Sequence, residues 1–164
     1  MTLSRVFRPV LPVVGALLLC FGGVLLGGCD SAGSKRASLY QRLTSEGPWT
    51  VEQLSSDEFD YKSKLKEQYP QGVTITFRGG DGGQTYRIET PRSSDSTEVL
   101  AEGAVGLPGD NVLQMASFGQ WTYEFEASRA VFSLQFGSRA VLRTLFSSGS
   151  RNENLEMKLA PGDD

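Results

Sequence analysis

The chain of 164 residues contains no histidine. That absence excludes Ser–His nucleophile pairs, histidine metal sites and histidine pH switches together. Cysteine occurs twice, as Cys20 and Cys29, too few for a cysteine-rich zinc module or a disulfide scaffold. Basic charge is in deficit: 16 Lys and Arg stand against 19 Asp and Glu, a formal net charge of −3. An acidic chain lacks the electrostatic footprint of a nucleic-acid binder. No internal repeat and no low-complexity tract is visible. The length suits one domain and is too short for two ordinary ones. Serines are plentiful, but none has a histidine partner, and no Ser-x-x-Lys pair is read on a plausible helix. The sequence therefore points away from an enzyme and predicts no catalytic residue, no cofactor and no metal site, with carboxylate-only chemistry as the residual route.

What is present begins with an address. Arg5 and Arg8 form a positive start, and Val10 to Leu26 is an uncharged stretch rich in Val, Leu and Gly. Its 17 residues sit at the short edge for a membrane span. Leu26-Gly27-Gly28-Cys29 follows and resembles the bacterial lipobox, in which an aliphatic and two small residues precede a cysteine. The resemblance implies a signal peptide over residues 1–28, cleavage before Cys29, and a thioether-linked diacylglyceryl group on the Cys29 thiol. Buried acyl groups contribute about 0.8 kcal/mol per CH₂, so a multiply acylated cysteine anchors stably. Cleavage removes two basic and no acidic side chains, which leaves −5 on the mature chain. Asp30 to Ser34 is small and polar, and residues 29–37 read as the lipidated cysteine and a flexible tether.

The body alternates with period 2. Val73, Ile75 and Phe77 alternate with polar neighbours, as do Tyr86 and Ile88, Trp121, Tyr123 and Phe125, Phe132, Leu134 and Phe136, and Leu155, Met157 and Leu159. Such runs predict strands with one buried and one wet face. Weaker strands fit Trp49–Leu54, Glu98–Gly106, Asn111–Ser117 and Ala140–Phe146. Turns are expected at Gly79–Gly83, Leu107–Asp110, Phe118–Gln120, Ala127–Arg129 and Gly137–Ser138. Short connections make sequential strands antiparallel neighbours. The fold class is thus all-β: an antiparallel up-and-down meander of about eight strands that closes into a barrel and so removes its edges. Leu39, Tyr40 and Leu43 suit a short N-terminal helix over Ser38–Ser45 that caps one barrel end. Asp57–Gln68 is a short helix or an ordered loop, stopped by Pro70. The barrel domain is assigned to residues 38–160, with a frayed tail at 161–164.

The short helix, then Gly47-Pro48-Trp49 opening the first strand, then the meander, resembles the lipocalin-like proteins, specifically the small bacterial lipocalin-like lipoproteins. Gly-x-Trp at the first strand is that superfamily's best-known local motif, carried here by Gly47 and Trp49. The resemblance covers about Ser38 to Leu159. It implies a basic residue packed over Trp49 from near the last strand, a place that Arg143 or Arg151 fits by position. Two departures stand out: the Thr-Asp-Tyr motif of the larger lipocalins is missing, and no helix follows the last strand.

An eight-stranded barrel either packs shut or holds one small ligand. Phe77, Tyr86, Ile88, Met115, Trp121, Tyr123, Phe125, Phe132, Leu134 and Phe136 are the expected interior and the candidate ligand-binding residues. A ligand there would be small and apolar or amphipathic. Gly79–Gly83 reads as a hairpin turn: no helix follows to aim N–H groups at a phosphate, and Asp81 alone does not make a calcium loop. Glu124 and Glu126 read as a solvated strand face. Lys62, Lys64 and Lys66 read as a wet segment, with a barrel lid or a contact with anionic headgroups as the lesser options. The sequence therefore predicts a lipoprotein of the bacterial cell envelope, held to the membrane by Cys29, with a barrel that binds a small hydrophobic molecule without catalysis. The alternative is a solid-core structural or interaction module with a protein or membrane partner in the envelope.

Overall fold

The computed structural model describes residues 31–80, 83–147 and 152–162, with side chains from Ser38 onward. Residues 1–28, Cys29, Asp81, Arg151 and the last two residues of the tail lie outside that set, as do the signal-peptide and lipidation readings placed on them. The chain runs α1 (Ser31–Ser45), β1 (Trp49–Ser56), α2 (Lys62–Gln68), β2 (Thr74–Arg78), β3 (Thr85–Ser93), β4 (Ser96–Gly109), β5 (Val112–Met115), β6 (Gly119–Glu126), β7 (Arg129–Phe136), α3 (Ser138–Phe146) and β8 (Leu155–Pro161). The eight strands pair antiparallel in sequence order, and β1 pairs β8 to close a barrel. The expected fold class is what the chain adopts.

Closure follows from the alternation. On β2, Ile75 and Phe77 point inward between half-exposed threonines, and opposite them on β3 Ile88 and Tyr86 do the same. A meander with one such face has no other place to hide it than its own interior. β1 shows how the period is kept through an irregularity. Its register against β8 shifts between Val51 and Gln53. The extra residue, Glu52, is exposed and pairs with Arg129 at 2.8 Å, and the inward set becomes Trp49, Val51 and Leu54. A bulge thus re-aims the strand without turning a carboxylate into the core.

The same device corrects one expectation. Phe136 is not interior: it is 70 % exposed. β7 pairs Leu134 with Trp121 but Phe136 with Gln120, so Gln135 is bulged and the inward alternation stops at Leu134. Phe125 is only half-buried. Two further expectations change. Ala140–Phe146 is helical, within α3, not a strand. Val141, Leu142, Leu145 and Phe146 recur with helical spacing and are buried, while Arg139 and Arg143 face water. The Leu107–Asp110 turn lies further along: β4 continues through Pro108 and the tight turn is Asp110–Asn111, between paired Gly109 and Val112. The Asp57–Gln68 segment, expected as a short helix or an ordered loop, has an exposed start and then the short helix α2, which ends at Gln68, two residues before Pro70.

Helices close both ends. α1 lies over the end where β1 starts and the β2–β3 and β6–β7 turns fall: the Tyr40 hydroxyl donates to the carbonyls of Arg78 and Thr85, and Arg42 donates to that of Ala127. α2 and α3 lie at the other end. The Tyr69 hydroxyl, just past α2, donates to the Leu145 carbonyl at 2.7 Å, and Tyr61 stacks on Phe146.

Candidate functional site

The interior is a contiguous aromatic stack. Phe132 of β7 lies at its centre, stacked on Phe77 and Tyr123 and edge-on to Trp121. Phe118 extends the stack through Trp121, and Tyr86 meets Phe118. Trp121, Phe132, Ile88 and Met115 are fully buried, as are Met157 and Leu159 from β8, so no water-sized space touches them. Nine of the ten residues expected inside are thereby brought together, Phe125 at the margin, and Phe136 is left out. Side chains of this size each contribute about 1.5–3 kcal/mol on burial.

Phe118 is an interior residue that sequence reasoning placed in a turn. The backbone makes this possible at two positions. Ser117 takes φ +63°, and Gly119 takes φ +94° with the Phe136 carbonyl only 2.5 Å from where a Cβ would stand. The turn therefore folds back, Phe118 enters the barrel, and the Trp121 indole N–H donates to the Phe118 carbonyl at 2.8 Å. An aromatic beside a glycine in a predicted turn was the available signal.

The Gly47–Trp49 motif has a physical account here. The Gly47–Pro48 peptide is cis. The Trp49 indole folds back across Gly47, where a Cβ would sit 2.9 Å from its Cδ1, and donates its N–H to the Leu43 carbonyl at 2.8 Å. Glycine is required because the indole occupies the side-chain space. No basic residue from near the last strand covers Trp49 in the described residues. Arg143 is exposed on α3 at the other end of the barrel, and Arg151 lies outside the described residues. The cation present is Arg42 of α1. Its guanidinium lies 4.0 Å from the centroid of the Phe125 ring, which in turn packs on Trp49 at 6.0 Å, and it pairs with Glu46 at 2.6 Å.

One polar atom inside the barrel stands apart. The Tyr123 hydroxyl is buried and has no hydrogen-bond partner among the described residues. Burial pushes its pKa up to about 12, and the nearby Tyr40 adds to the rise. Burial likewise raises Tyr40 and Tyr86 to about 12. Tyr86 donates to the Ala116 carbonyl. Each of these phenols stays neutral at ordinary pH, so the interior carries hydrogen-bonding capacity and no charge.

Outside, the chemistry is sparse. Glu124 and Glu126 are exposed on β6, as a solvated face requires. Among the described residues no group of three or more potential metal ligands converges, and no helix is long and apolar enough to cross a membrane. One correction concerns nucleophiles: Ser63 and Lys66 do form a Ser-x-x-Lys pair on α2. Both side chains are exposed, without the enclosed pocket that activates such a pair. A scan against family models and a search of curated proteins find no match to this chain.

Proposed function

We propose that the protein is a lipid-anchored module of the bacterial cell envelope, held at Cys29, whose lipocalin-like barrel is a solid scaffold that works through its surface and not by catalysis. The anchor rests on the Leu26–Cys29 pattern. The lipocalin-like assignment is supported by the closed eight-strand meander and by Trp49 folding over Gly47. The observation that carries the function is the filled interior: Trp121, Phe132, Met115 and Ile88 leave no water-sized space against them. A ligand the size of a fatty acid has no room unless that stack is dismantled. Mass spectrometry of the gently solubilised native protein tests the reading. The expected result is an acylated N-terminal Cys29, a stoichiometric protein partner, and no small molecule at equal ratio.

One observation favours a second reading, a small amphipathic ligand inside the barrel. The partnerless Tyr123 hydroxyl is the kind of group that a ligand's polar atom satisfies. A small molecule that co-purifies one-to-one and is lost in Tyr123→Phe would establish it over the first.

A further inference from the structure

The barrel wall is split between the end of β7 and the start of β8. β7 pairs with β8 from Ala130↔Leu159 to Ser133↔Glu156, yet β7 continues to Phe136. Leu134, Gln135 and Phe136 therefore face the irregular stretch 152–154 and not a strand. A hollow of about 240 Å³ lies between them. It shares residues with two further hollows, of about 390 and 210 Å³, that run across the ends of β1 and β8. The three make one groove along the split.

The groove's chemistry specifies an occupant. A strand edge offers backbone N–H and C=O groups to an extended chain. Phe136, 70 % exposed at that edge, is the most exposed of the large apolar side chains among the described residues, and an exposed aromatic beside a groove is the usual anchor of an interface. Asp57, Glu58, Glu153 and Glu156 line the hollows, and among the described residues no Lys or Arg does. Asp57 and Glu153 are held by neutral donors, Asn154 and Tyr61, while Glu156 meets Lys158 at 3.4 Å. A negative groove repels anionic headgroups and nucleic acid and attracts a basic chain.

We infer that this groove docks an extended cationic peptide segment of another protein, laid along the β7 edge with its basic side chains toward Asp57, Glu153 and Glu156 and an apolar one on Phe136. The inference rests on the surface-acting reading above and names its partner chemistry. The test uses the full chain in neutral detergent and fluorescence anisotropy with a labelled alternating Lys–Val octapeptide and a matched Glu–Val octapeptide. The Lys–Val peptide binds saturably and the Glu–Val peptide does not. Phe136→Ser weakens binding about tenfold, and the pair Glu153→Gln with Glu156→Gln weakens it by a similar factor of about ten. Phe136→Ser changes an exposed side chain, so it reports on the groove even where the charge variants loosen the Tyr61 contact. No binding, equal binding of both peptides, or binding indifferent to both variants overturns the inference. If the native protein still captures a stoichiometric partner after such a result, the surface-acting reading stands without the groove. If it carries a one-to-one small molecule instead, both fall.

Discussion

The two ends of the barrel are closed by different physics. At the α1 end, side-chain donors reach main-chain acceptors: Tyr40 to Arg78 and Thr85, Arg42 to Ala127, and Trp49 to Leu43. At the other end two short helices pack apolar faces, with Leu65, Val141, Leu142 and Leu145 buried and Tyr69 donating to Leu145. Directional bonds to fixed carbonyls hold a helix in one register, and packed apolar faces tolerate a neighbouring gap. The split in the wall lies at the end closed by apolar packing.

Alkali should break the comparison most strongly. Tyr40 and Tyr123 lie toward the α1 end, and with Tyr86 they titrate near 12 in the fold against about 10 in the unfolded chain. Their stabilisation is complete below pH 10. As pH rises from 10 to 12 the unfolded chain ionises first, and each such phenol withdraws stability from the fold over that interval. At the other end Tyr69 is also raised, by burial and by Glu98, and the Gln68 hydrogen bond works against the rise. Urea unfolding across this range should show a steep fall in stability, and amide exchange should show α1 released before α3. A flat profile through pH 11 would contradict it.

Next in size is Trp49→Ala, which removes a fully buried indole and its bond to Leu43, at a cost of about 4 kcal/mol. Phe146→Ala at the far end should cost less, since Phe146 keeps some exposure. Paired denaturation curves check the order, and a larger loss for Phe146→Ala would reverse the ranking of the two ends. Gly119→Ala follows, at about 3 kcal/mol, because a Cβ at φ +94° meets the Phe136 carbonyl. Calorimetry that leaves its Tm unchanged would mean the turn relaxes freely. The smallest pair sharpens the comparison within one end. Tyr40→Phe loses bonded partners and should destabilise by about 1 kcal/mol, whereas Tyr123→Phe removes a partnerless buried hydroxyl and should stabilise by about 1 kcal/mol. Equal signs for the two would show that Tyr123 has a partner in solution.

Much of this was legible in the residues. Val73, Ile75 and Phe77, or Trp121 and Tyr123, declare their faces by a local period that needs no knowledge of the rest of the chain. α3 was legible in principle: Val141, Leu142, Leu145 and Phe146 have helical spacing, but β-branched and aromatic residues suit a strand equally, and the run after Phe136 invited that continuation. Phe136 itself was not legible. Nothing in Leu134-Gln135-Phe136 says that Gln135 is bulged, because the bulge arises where β7 must accommodate Gly119 and its close backbone. The family resemblance points to a cation late in the chain near Trp49, whereas among the described residues the cation nearby is Arg42, on the helix that immediately precedes the motif.

Sequence alone determined most of the strands, their antiparallel order and the need to close, since a meander with one apolar face has only its own interior in which to bury it. Tertiary structure alone decided that the interior fills, which ring enters from a turn, and where the wall opens. Those outcomes depend on the volumes and backbone approaches of residues far apart in the chain, such as Phe118 against Tyr86 or Gly119 against Phe136, and no local period encodes them.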